Sequence, residues 1–389
     1  MILWMARLIV RLAFALLPSP LRGWGRAMEA ETAAIGRPLP ALRFALGCLG
    51  GALREALQFH LLRPDEQETR SPSRPELPAM PSSNSLLDRP RHLAALCAVA
   101  ATGLGFAYLA AAGAPLRHLV MNGGALALGL LLLVALAWTR PLGQAGRGVA
   151  GLALAAALLF VSLLGLSAGG VTRWVSLGGV LLQPGLFLLP LLALMFVRAR
   201  DGLSLPAVLV AALAVALQPD RAMAGALVAG MAAFALVRPL RIALIALGAA
   251  ATAFAVTLVR ADPSQAMPFV DQIFYSSFAV HPLAGVAVAL GAALMLVPAL
   301  VGYARDPQGR ASYAAFGAVW LAAIIAAALG NYPTPLVGYG GSAILGYLLS
   351  VTGLPPRTGL GVPAGSDPDA VEADNGRGPQ LCAALPASA

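Results

Sequence analysis

From His92 to about Val351 the chain runs almost without interruption through apolar residues. No water-soluble fold buries so long a run, so this feature decides the fold class. Short breaks divide it into segments near 92–112, 119–138, 147–166, 181–197, 203–218, 222–237, 242–259, 273–303, 311–330 and 336–353. A helical crossing takes about 20 residues. The reading is therefore an all-α fold, a polytopic transmembrane helical bundle of about ten spans. Segments 203–218 and 222–237 are short, and a hairpin that does not cross fully is the alternative there. Segment 273–303 is too long for one straight crossing and holds His281-Pro282 and Pro298, so a kink or half-helix is expected. Composition agrees: 59% of residues are hydrophobic and 11% charged, against roughly 25% charged in soluble domains. A cytosolic globule, a coiled coil and a disordered chain are excluded.

Four zones follow. Residues 1–62 mix apolar and charged positions and form an N-terminal amphipathic extension. Met1–Leu17 is interrupted by Arg7 and Arg11 and lacks a small-residue cleavage site, so it reads as an interfacial helix, with a true span as the alternative. Residues 63–91 are rich in Pro, Ser and charge and form a disordered linker. Residues 92–353 are the transmembrane domain, and 354–389 a polar, disordered tail.

The formal charge is +9, and all 26 basic residues are Arg. They stand singly between apolar runs, which marks membrane topology and not a nucleic-acid surface. With the linker inside, the inner loops carry Arg140, Arg147, Arg198, Arg200, Arg238, Arg241, Arg305 and Arg310. The outer loops carry Arg117, Arg173, Arg221 and Arg260. Arginine is thus concentrated on one side, with both ends of the core cytoplasmic and the even count preserved. The Cys and His residues are scattered and give no disulfide, zinc or haem spacing, so no metal site is expected.

The outer loops also hold the unusual residues: Thr172-Arg173-Trp174-Val175-Ser176-Leu177-Gly178-Gly179, then Gln183-Pro184-Gly185, Gln218-Pro219-Asp220-Arg221, the stretch from Asp262 to Asp271, and Asn331–Ser342. Non-helical backbone at membrane depth needs cover from protein or a water-filled cavity, so a shared outward cavity is expected.

In this order the segments resemble the SEDS family (shape, elongation, division and sporulation) over about residues 92–353. Arg173–Gly178 with Gln183-Pro184 follows one family pattern, and Gln218-Pro219-Asp220 the first half of another. Pro335–Ser342 follows a third, with Leu336, Val337 and Gly338 substituted. Leu186 and Leu189 stand where the family has Glu and Lys, and the outer loop before Asp271 is much shorter.

The resemblance implies ten spans in the bacterial inner membrane. It implies polymerisation of peptidoglycan glycan strands from lipid II, an undecaprenyl-linked substrate, with a class B penicillin-binding protein as partner. The family's catalytic carboxylate carries over to Asp271 in Val270-Asp271-Gln272-Ile273-Phe274. A sugar hydroxyl attacking an anomeric carbon must lose a proton, and a carboxylate is a fitting base. The leaving diphosphate needs fixed positive charge, for which Arg173, Arg221 and Arg260 are the outward candidates. Trp174, Gln183, Asp220, Tyr339 and Ser342 complete the expected substrate-binding set. No cofactor is evident, and a divalent cation at the diphosphate stays open. Asp271 as a helix cap and Asp220 paired with Arg221 are the structural alternatives. A lipid-linked sugar flippase and a non-enzymatic division or shape scaffold are the functional ones.

Overall fold

A computed structural model describes residues 2–16, 22–62, 86–138, 144–168, 171–178, 180–199, 202–260 and 266–356. The chain divides into two compact units: residues 1–84 with 231–249, and residues 85–230 with 250–389.

The first unit opens with α1 (Ile2–Leu16), α2 (Arg22–Ala34) and α3 (Pro38–Leu62). Ala6, Val10 and Ala13 of α1 pack against Ala41, Ala45, Cys48 and Ala52 of α3. Steps of three and four residues put these small side chains on one face of each helix, so the two backbones come close. Arg7 and Arg11 face outward, and Arg11 lies 3.8 Å from the Glu29 carboxylate. Alpha helix α1 is amphipathic, as its sequence requires. The linker expected over 63–91 lies outside the described residues except for Leu86–Asp88, a short 3-10 turn, and the residues that lead into the next helix. The expected tail likewise lies outside them beyond Pro356.

The apolar core folds as α4 (Pro90–Ala111), α5 (Leu116–Trp138), α6 (Gln144–Leu164), α7 (Pro184–Arg198), α8 (Ser204–Leu217), α9 (Arg221–Val237) and α10 (Arg241–Val259). It continues as α11 (Ile273–Val280), α12 (Pro282–Leu294), α13 (Val297–Arg305), α14 (Arg310–Leu329) and α15 (Gly341–Val351). Every expected segment holds a helix, but only six stretches are long and apolar enough to cross a membrane among the described residues. The ten-span count is thus not carried by helix length. Alpha helices α7, α8, α9 and α15 have 15, 14, 17 and 11 residues, short of the about 20 a crossing takes. The chain adjoining α7, α8 and α15 at one end is broken, polar-bearing backbone. The expected interruption of 273–303 occurs twice, at His281 and again before Pro298. His281 is exposed and extended, and its Nδ1 accepts the Leu283 N–H to cap α12. It is a helix cap, not the packed polar residue that a simple kink would bury.

One element departs from the all-helical reading. Residues 166–182, expected as an outer loop, form a three-stranded antiparallel sheet in the order β1 (Leu166–Ala168), β2 (Val171–Leu177), β3 (Val180–Leu182). Leu177 pairs with Val180 across Gly178-Gly179, with Gly178 at φ 57. Such a two-residue Gly connection is a hairpin signal, and Val171, Trp174 and Val175 favour strands.

Helix α15 is the axis of the second unit, packed by α4, α5 and α7. Gly346 permits this closeness: a Cβ there would land on the carbonyl of Leu186 in α7. Tyr347 is fully buried against Phe316 and Trp320 of α14, and its hydroxyl donates to the Met295 carbonyl at 2.9 Å. Leu186 and Leu189 point into this core, where a lone Glu or Lys would stand without a partner.

Candidate functional site

The polar contacts of the second unit gather at two ends. At one end the loop after α14 and the segment before α11 are bonded into a single piece. The Thr334 N–H donates to the Val270 carbonyl at 3.0 Å, and the Tyr339 N–H to the Phe269 carbonyl at 2.7 Å. The Gln272 carboxamide donates to Asn331 Oδ1 at 2.8 Å. Val337 anchors the loop in an apolar cluster with Tyr108, Leu109, Ile273, Ala284 and Val288. Gly105 of α4 makes room, since a Cβ there would meet the Val337 carbonyl oxygen at 2.6 Å.

Asp271 lies in this double loop and is half-buried. It does not cap α11, whose N-cap is Gln272 without a side-chain bond. Instead its Oδ2 accepts the Met267 N–H at 2.9 Å while its own N–H donates to the Met267 carbonyl at 3.0 Å. The buried Oδ1 has no partner among the described residues. Phe269 and Gln272 flank it at φ 63 and 56, a left-handed conformation that side chains other than glycine adopt at a cost and that gathers at functional sites. Burial pushes the Asp271 carboxyl above its ordinary value, partly offset by the Met267 N–H and by the charge of Arg173. A carboxylate so held is a better base than one in water.

Arg173 projects from β2, is buried, and lies over the Trp174 ring at 5.5 Å from its centroid. Its charge opposes the effect of burial on the Asp271 carboxyl. Gln183, Asp220 and Ser342 form a second knot. The Gln183 N–H donates to Ser342 Oγ at 3.0 Å, and its carboxamide to Asp220 Oδ2 at 3.0 Å. Asp220 Oδ1 accepts the Met223 N–H at 3.1 Å, so this fully buried carboxylate caps α9. It does not pair with Arg221.

Arg221 and Arg260 are engaged with backbone. Arg221 donates to the carbonyls of Thr257 (2.9 Å) and Arg260 (2.7 Å), and Arg260 to those of Ala216 (2.9 Å) and Leu217 (3.0 Å). Both satisfy the last carbonyls of helices, the favoured place for a cation. Among the described residues no three His, Cys, Asp or Glu side chains stand together as metal ligands.

Two residues escaped the sequence reading, and a third, Gln218, stood there only as part of a motif, with no role. Asn122 of α5 donates to the Gly338 carbonyl at 2.8 Å and accepts the Gly340 N–H at 3.1 Å. His118, one turn earlier, stacks on Tyr339 with centroids 3.9 Å apart. Gln218 is buried, and neither end of its carboxamide finds a partner among the described residues. The signal for the first two was present: polar side chains inside an apolar span are rare and mark sites.

Fold and site together define a multi-pass membrane protein with a non-helical polar centre at one end of its bundle. The chain is similar to the crystal structure of the rod shape determining protein RodA from Thermus thermophilus, at 23% identity and a TM-score of 0.48, covering 67% of this chain and 93% of that one. A mutant of the same protein matches at 23% and 0.48, covering 67% and 94%. No protein-family model and no curated protein matches the chain.

Proposed function

We propose that the protein is a SEDS-like glycosyltransferase of the bacterial inner membrane that polymerises lipid II, with a class B penicillin-binding protein as partner, in cell division or cell shape. One observation carries the reading: Asp271 has one oxygen held by the Met267 N–H and the other buried and without a partner among the described residues. The motif resemblance over residues 92–353 supports it. Asp271 takes the proton of the acceptor sugar hydroxyl as that oxygen bonds to the donor's anomeric carbon. The bond from that carbon to the lipid diphosphate breaks, and the diphosphate leaves with the electron pair, stabilised by Arg173. Trp174 supports the Arg173 guanidinium from its ring face. Gln183, Asp220, Tyr339 and Ser342 hold the surrounding segments in place, and Arg221 and Arg260 shape the rim.

The test is polymerisation of lipid II by the purified full-length protein with a class B penicillin-binding protein. Polymer from the parent and none from Asp271→Ala supports the assignment. Equal polymer from both overturns it. The engagement of Arg221 and Arg260 by carbonyls favours a second reading, a scaffold that binds its partner without catalysis. Partner binding with no polymer from the parent supports that reading. Lipid translocation that survives Asp271→Ala, again without polymer, would mark a flippase instead.

A further inference from the structure

At the other end of the second unit, arginines converge, and none of them makes a salt bridge with a carboxylate of the described residues. Arg91 of α4 donates to the carbonyls of Leu354 (2.8 Å) and Thr352 (2.9 Å). Arg198, closing α7, donates to those of Gly353 (3.0 Å) and Leu354 (3.3 Å). Arg147 of α6 donates through Nη1 alone, to the Arg198 carbonyl at 3.2 Å. Carbonyls satisfy donors but leave the formal charges standing. Among the described residues Arg147 engages one of its five N–H groups in this way.

Arg147 also lines a narrow cleft between α6, α7 and α8 with the hydroxyl-bearing Ser204 and the apolar Leu192, Phe196 and Ala207. The enclosed part holds about 10 Å³, room for roughly one water-sized atom. A single phosphate oxygen fits there, and the rest of its molecule must lie outside. Arg147 sits in the first turn of the apolar stretch Gly146–Leu164, which is the level of lipid headgroups when that helix crosses a bilayer. Exposed apolar residues stand nearby in the chain: Val149 two residues from Arg147, and Leu203 next to Ser204.

We infer that this cleft is a binding site for a phosphate-bearing anion, with Arg147 as its charged ligand and an anionic lipid headgroup as the source its position favours. Arginine-lined recesses between membrane helices on the cytoplasmic side suit such headgroups. The site lies apart from Asp271 and is independent of the proposed transferase chemistry.

Native mass spectrometry of the purified full-length protein tests it, with phosphatidylglycerol, phosphatidylcholine and inorganic phosphate as probes. Phosphatidylglycerol binds in preference to phosphatidylcholine, and Arg147→Gln weakens that binding about fivefold. Gly151→Leu fills the cleft without altering charge and gives the same loss. An alanine Cβ at this position already makes ordinary contact with Ala207 at 3.6 Å, so the longer side chain extends into the cleft. Arg305→Gln, an equal charge change elsewhere, leaves binding as it was. If inorganic phosphate displaces the lipid from the parent and not from Arg147→Gln, the site stands with a soluble anion as its source. Lipid binding untouched by both cleft variants, or lowered as much by Arg305→Gln, overturns the proposal.

Discussion

Asp271 and Met267 are joined in both directions: the Met267 N–H donates to the Asp271 carboxylate at 2.9 Å, and the Asp271 N–H returns to the Met267 carbonyl at 3.0 Å. This closed turn fixes one carboxylate oxygen and leaves the other buried and without a partner among the described residues.

The acidic limb of activity follows from that environment. Burial raises the Asp271 pKa, so the base is protonated and activity lost at a pH above the ordinary aspartate range. The sign for stability is opposite. The folded state holds this proton more tightly than the unfolded chain, so stability from this group declines as pH rises from the ordinary value to the raised one. A pH series of initial rates and of thermal midpoints, parent against Asp271→Asn, isolates both trends.

Arg173→Gln removes the cation that offsets the burial of Asp271. The acidic limb of the rate profile moves to higher pH, and the rate at its plateau falls because the diphosphate loses its counter-charge. A plateau reduced without movement of the limb would place Arg173 away from Asp271.

Asn122→Ala leaves the Gly338 carbonyl and Gly340 N–H without the partners that tie them to α5. Stability falls by about 1–3 kcal/mol, the range for an unsatisfied buried group. Activity falls with it, because Tyr339 between those glycines bonds the Phe269 carbonyl two residues before Asp271. Chemical denaturation and the polymerisation assay, run on one preparation, read the two effects.

Gly105→Ala sets a methyl against the backbone of Val337, 2.6 Å from its carbonyl oxygen and 2.7 Å from its Cα. Helix α4 or the loop must give way. The variant folds with a lowered thermal midpoint and loses activity, whereas Gly103→Ala, where nothing stands within 4 Å, behaves as the parent.

Much of this was legible in the sequence because a bilayer imposes long apolar stretches and broken polar ones. The helices, the interruption at His281-Pro282 and the position of Asp271 and Gln183 in non-helical segments followed from that rule. Helix length does not carry the crossing number, since α7, α8, α9 and α15 are shorter than a full span. The sheet at 166–182 was hidden by its apolar setting, although Gly178-Gly179 signals a hairpin. The partners of Arg221 and Arg260 are backbone carbonyls 36 to 44 residues away in the chain, and Asp220 takes the Gln183 carboxamide and the Met223 N–H, none of which residue type alone reveals.

The most direct measurement is the polymerisation rate of the full-length Asp271→Asn protein with lipid II and a class B penicillin-binding protein. Asparagine keeps the size of the side chain and an oxygen for the Met267 N–H, but gives up the base. With Asp271 as the base, the variant folds correctly and its rate falls about 10²–10⁴-fold. A rate equal to that of the parent would contradict it.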